Sequence, residues 1–217
     1  MTDHIQIRDK RRILEITAVL LTGIGKLIFM DHLDLKFPFI TVCILGWGAY
    51  IWMRSASVEW MMKYWGFRID NFNKVVKIVL PFGLLAILAF FIVGLIRESI
   101  IFSWHVIPIL LIYPIWGVIQ QFLVIALVAG NLQDMKGITL QKPVITVLTA
   151  LLFGVIHYPY NWLMVGTFIL ALFYGYVYLK ERNLFVLGLF HGWLGGLFYY
   201  TVVNRDPFLE VFGEYLY

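Results

Sequence analysis

Residues 104–130 read WHVIPILLIYPIWGVIQQFLVIALVAG. The run holds no Asp, Glu, Lys or Arg, and it exceeds the roughly 20 apolar residues that a helix needs to cross a bilayer. In hydrocarbon the backbone can bond only to itself, so a run of this kind is helical. Pro108 and Pro114 fit one long tilted or kinked helix. Gln120 and Gln121 place two amides in mid-span. Neighbours on a helix lie about 100° apart, so turning both amides to lipid would expose polar groups on a broad apolar face.

The rest of the chain has the same character. Of its 217 residues 61% are hydrophobic and 14% charged, where a soluble domain has about 25% charged. Six further apolar stretches fall at 13–30, 37–53, 75–96, 143–157, 162–179 and 184–203. The expectation is an all-α, polytopic membrane helical bundle of about seven transmembrane helices, forming a single membrane domain over 1–217. The stretch 143–157 is short and 104–130 is long, so six or eight spans also fit. The first stretch lacks a small-residue cleavage pattern and reads as an anchor.

Basic residues set the expected orientation, because cytoplasmic loops hold the excess of Lys and Arg. With the N-terminus cytoplasmic, Arg8, Lys10, Arg11, Arg12, Arg54, Lys63, Arg68, Lys74, Lys77, Lys136, Lys142, Lys180 and Arg182 lie inside. Only Lys36, Arg97 and Arg205 lie outside, with Lys26 within the first span. The expected location is integral in a plasma or inner membrane. The net charge of +4 then speaks to topology and anionic headgroups, and nucleic acid is not implied. The lone Cys43 excludes an internal disulfide and a cysteine metal cage.

Residues 55–68, SASVEWMMKYWGFR, suit a helix lying in the interface, read as an anchor or as a docking helix. Gly188, Gly192 and Gly196 form a small-residue stripe on the last stretch, suited to close helix packing inside the bundle. Two histidines join the two glutamines at membrane depth. His157 closes LLFGVIH and His191 sits in LGLFHGWLGG. Polar side chains there are costly and mark candidate sites. The bland readings are an interhelical hydrogen bond for a Gln and a headgroup position for His157, while Lys26 reads as a snorkelling structural residue. Between Glu98 and Asp206 the only acidic residues are Asp134 and Glu181, so no helix in that half carries an embedded carboxylate.

These residues resemble the CPBP family of intramembrane endopeptidases, which includes CAAX prenyl proteases and bacteriocin-processing or immunity proteins. The family has Glu-Glu-x-x-x-Arg, then Phe-x-x-x-His, then His-x-x-x-Asn or Asp, on successive helices. Phe153 and His157 match the second motif, and His191 opens the third. Gln120 and Gln121 stand at the glutamate pair, Ile125 at the arginine and Gly195 at the Asn or Asp. The resemblance covers about 114–200 and implies a membrane bundle in which the first glutamate and the second-motif histidine activate a water. An amide cannot take that proton. It places the candidate catalytic set at His157, His191, Gln120 and Gln121.

Three readings follow. The chain is a protease with a histidine base, or a catalytically silent member that binds a membrane-embedded or prenylated peptide, or a metal site. The third falls short of the three protein ligands of a catalytic zinc. No cofactor is expected, and the expected partners are the bilayer and a membrane-embedded or lipidated peptide.

Overall fold

The computed structural model describes residues 7–216. Nine helices follow in chain order among them. They are α1 (Asp9–His32), α2 (Lys36–Ser57), the short α3 (Met61–Trp65), α4 (Phe72–Ile96), α5 (Val106–Asp134), α6 (Lys142–Ile156), α7 (Asn161–Glu181), α8 (Leu184–Val203) and α9 (Pro207–Leu216), with no strand among the described residues. Six of them, α1, α2, α4, α5, α7 and α8, are 20 to 29 residues long and apolar enough to cross a membrane. The protein is a helical membrane bundle.

Helix α6, the expected span 143–157, has 15 residues. At about 1.5 Å per residue it reaches roughly 22 Å, short of the roughly 30 Å of hydrocarbon. It packs along α7 as a hairpin and depends on that partner for its depth. Six full spans and one short helix make up the expected bundle of about seven.

The stretch 104–130 becomes the axis of the bundle. Every residue of Phe122–Gly130 is buried, and over that segment the helix widens to the looser five-residue hydrogen-bonding step. Helix α8 lies closest to α5, and its glycines allow it. A Cβ on Gly192 would stand 2.4 Å from the Pro114 Cα, and one on Gly188 would stand 2.4 Å from Val118 Cγ2. The glycine stripe therefore packs inside the bundle. Helices α1, α2 and α4 form the outer wall, and large side chains such as Leu21, Leu45 and Leu85 point outward, as lipid contact requires.

Residues 55–68 differ from a flat interfacial helix. Trp60 is exposed, but Met61 and Trp65 are each 1% exposed, and Trp65 meets Phe122 edge-on with ring centroids 5.0 Å apart. Tyr64 belongs to a polar network at the same end of the bundle. Arg12 donates to the Tyr64 hydroxyl at 2.6 Å and to Asn131 Oδ1 at 3.0 Å, and Tyr64 donates to Asp134 at 2.7 Å. Arg182 grips both oxygens of Asp134 at 2.7 Å, and Asn131 donates to Glu15 at 2.7 Å. These contacts tie α1, α3, α5 and the α7–α8 turn together.

Candidate functional site

Two adjacent faces of α5 separate the two glutamines. Tyr113, Trp116 and Gln120 recur at three- and four-residue spacing and line a cavity of about 90 Å³. Gln121 falls on the next face, in line with Pro114, Gly117 and Val118, which pack on α8. It is 1% exposed, does not line the cavity, and its Oε1 has no hydrogen-bond partner among the described residues.

His157 also lines the cavity. It ends α6, and its Nδ1–H donates to the Phe153 carbonyl at 2.7 Å, one of the carbonyls that the last helical turn leaves without a partner. A carbonyl can only accept, so the proton sits on Nδ1 and Nε2 keeps a lone pair. His191, on α8, is buried and donates its Nε2–H to Gln120 Oε1 at 2.8 Å. Its Nδ1 is then the acceptor nitrogen, and it has no partner among the described residues. The Phe153 ring joins the two imidazoles, with centroids 4.9 Å from His157 and 5.5 Å from His191. Gln120, His157 and His191 thus form one connected group, and Gln121 stands apart from it.

The cavity holds charges that lie outside the four expected residues. Asp31 and Glu210 line it, as do Lys26 and Arg205. Lys26 does not snorkel freely, because it pairs with Asp31 at 2.6 Å. Arg205 pairs with Glu210 and lies 4.4 Å over the Tyr160 ring. Burial pushes the Glu210 carboxyl above the ordinary carboxylate range, against the pull of Arg205 and Lys36. Asp31 falls one residue past the stretch 13–30, and Glu210 sits on an amphipathic segment, PFLEVFGEYL, behind the last span. Those were the available signals.

Helix α9 brings Glu210 to the cavity, and Asp206 fixes where α9 starts. Asp206 accepts from the backbone N–H of Phe208 at 3.0 Å, from the Tyr200 hydroxyl at 2.9 Å and from His105 Nδ1 at 2.6 Å. These bonds outweigh partial burial and hold its carboxyl below the usual range. The Phe208 ring stacks on His105 at 4.6 Å, and Phe212 and Tyr215 meet Phe37. Among the described residues no three His, Cys, Asp or Glu side chains gather as a metal-holding group.

The chain matches the family of type II CAAX prenyl endopeptidases, Rce1-like, over residues 79–196, just over half its length. It belongs to that family. The matched region contains Gln120, Gln121, His157, His191 and Gly195. Neither curated proteins nor solved structures gave a match. Two of the departures from the family motifs have a visible physical counterpart. Ile125, at the motif arginine, is fully buried in the core, where a guanidinium would need a counter-ion. At Gly195, where the motif has Asn or Asp, an added Cβ would meet the Tyr113 ring at 3.2 Å, so that ring fills the room.

Proposed function

We propose that the cavity receives a membrane-embedded or prenylated peptide and that the chain is a CAAX-protease-like binding protein without glutamate-driven hydrolysis. The hydrogen bond between Gln120 and His191 carries this reading. At the family's first glutamate position stands a group that cannot accept a proton, and it is engaged with the third-motif histidine. Asp31 and Glu210, the carboxylates that line the cavity, are each paired with a cation. The cavity of about 90 Å³ has room for about three waters. A peptide therefore enters only when the walls shift, and α9 contributes Pro207, Glu210 and Val211 to them.

A second reading rests on His157, whose Nε2 lone pair has no hydrogen-bond partner among the described residues. A neutral imidazole can serve as general base. In that case the chain hydrolyses the peptide with His157 as base in place of the glutamate.

One assay separates the two. Purified protein is incubated with prenylated and unprenylated membrane peptides, beside His157→Ala and the double variant Gln120→Glu, Gln121→Glu. Binding of the prenylated peptide without cleavage, with cleavage only in the double variant, is expected. Cleavage by the wild-type protein that disappears in His157→Ala overturns the binding reading in favour of the second.

A further inference from the structure

Helices α1 and α2 touch at two places, and the space between these is open. At one end Gly25 and Phe29 pack on Phe39, and at the other Tyr50 hydrogen-bonds Glu15. The groove between them has a volume of about 630 Å³, within the roughly 300–1,000 Å³ typical of ligand sites. Its walls are apolar along most of the length, with Leu14, Leu21 and Val42 among them. A Cβ built on Gly46, which lies in the groove, meets nothing within 4 Å.

Charge is confined to one end. Arg11 lines the groove beside Tyr50, and Arg54 follows Tyr50 by one helical turn on the same face of α2. Among the described residues neither guanidinium has a carboxylate partner, and the Nε of Arg54 is buried without an acceptor. The neighbouring Glu15 forms no ion pair with either; its two oxygens accept from Tyr50 and Asn131. Two guanidiniums thus stand where α1 begins and α2 ends, at the level of lipid headgroups, above a hydrocarbon-lined slot. Guanidinium is the side chain best matched to a phosphate diester in that position.

We propose that this groove is a binding site for an anionic phospholipid, with one acyl chain along Gly46 and the phosphate between Arg11 and Arg54. The charge complementarity names the occupant. A neutral hydrocarbon chain would leave both cations unanswered, and a zwitterionic lipid would answer them only in part. The groove shares no lining residue with the 90 Å³ cavity, and the proposal does not depend on what that cavity binds.

The test is native mass spectrometry of the full chain in detergent, titrated with phosphatidylglycerol or with phosphatidylcholine of the same acyl chains. The expected result is retention of phosphatidylglycerol at least about tenfold over phosphatidylcholine, since each basic residue at an anionic headgroup contributes severalfold. Arg11→Gln with Arg54→Gln brings phosphatidylglycerol down to the phosphatidylcholine level. Gly46→Phe weakens both lipids severalfold, and because nothing contacts that position the variant keeps the wild-type melting temperature. Equal binding of the two lipids by the wild-type protein, a preference unchanged in the arginine double variant, or unaltered retention by a folded Gly46→Phe overturns the proposal. So does a preference for a free isoprenyl chain over both diacyl lipids, which would make the groove a hydrocarbon port.

Discussion

His191 donates its Nε2–H to the side-chain oxygen of Gln120 at 2.8 Å, which leaves Nδ1 as its only other polar atom, buried and without a partner among the described residues. Replacing Gln120 by Leu would strip the imidazole of its remaining bond. An unsatisfied buried donor costs about 1–3 kcal/mol, and interhelical bonds in membranes average about 0.6 kcal/mol, so a loss of about 1–2 kcal/mol is expected. A double-mutant cycle with His191→Phe in detergent unfolding should return a coupling above about 0.5 kcal/mol. Additive effects would show that the two side chains act independently.

The contact between α5 and α8 predicts a sharp contrast between glycines. At Gly192 the nearest atoms to an added Cβ are the Pro114 backbone Cα and N, at 2.4 and 2.6 Å. Backbone cannot yield as a side-chain tip can, so Gly192→Ala should lose about 1–3 kcal/mol by overpacking. At Gly48 nothing lies within 4 Å. Gly48→Ala should be neutral or gain up to about 1 kcal/mol from helix propensity. Equal melting temperatures for the two variants would contradict the close α5–α8 approach.

What the sequence could yield followed from how local the signal was. The apolar runs marked six long helices because each carries its own requirement to cross the bilayer, and the shortness of 143–157 was visible as a count. The separation of Gln120 from Gln121 was present only as the angle between neighbours on a helix. Which face turned to the cavity depended on the α8 glycines packing at Pro114 and Val118. Trp65 reads as interfacial in the sequence because aromatic residues in a core and at a membrane surface look alike in composition; its burial on Phe122 is a tertiary outcome. Glu210 was invisible as a lining residue, because α9 must first fold back across the bundle to bring it there.

Arg182 holds both oxygens of Asp134, and Asp134 in turn accepts from Tyr64. The two side chains are 22% and 24% exposed, so removing the cation leaves a largely buried carboxylate. Arg182→Met is expected to cost about 3 kcal/mol, at the lower end for a broken buried pair. Arg182→Met combined with Asp134→Leu should recover part of it, since the pair removes the stranded carboxylate but takes from the buried Arg12 its contact with Asp134 at 3.9 Å. Thermal unfolding of the three variants in detergent reads the difference. A double variant no better than Arg182→Met alone would mean that Tyr64 and Arg12, and not the carboxylate, set the cost.

Asp206 links acidity to the position of α9. Hydrogen bonds from His105, Tyr200 and the α9 backbone outweigh partial burial and hold its carboxyl below the usual aspartate range. A carboxyl depressed in the folded state contributes stability that is complete above its unfolded value and is lost as pH falls through the lowered one. Attachment of α9 should therefore be constant from neutral pH down to about 4 and weaken below that, as Asp206 gains a proton and releases His105 and the Phe208 N–H. Hydrogen exchange over residues 207–216 follows this directly. Protection should collapse at acid pH in the wild-type protein and already be low and insensitive to acid in Asp206→Ala, which has no side-chain acceptor. If the wild-type profile matches that of the variant across the range, Asp206 does not anchor the helix, and Glu210 must be held at the cavity by Arg205 and the aromatic contacts of Phe208 and Phe212 alone.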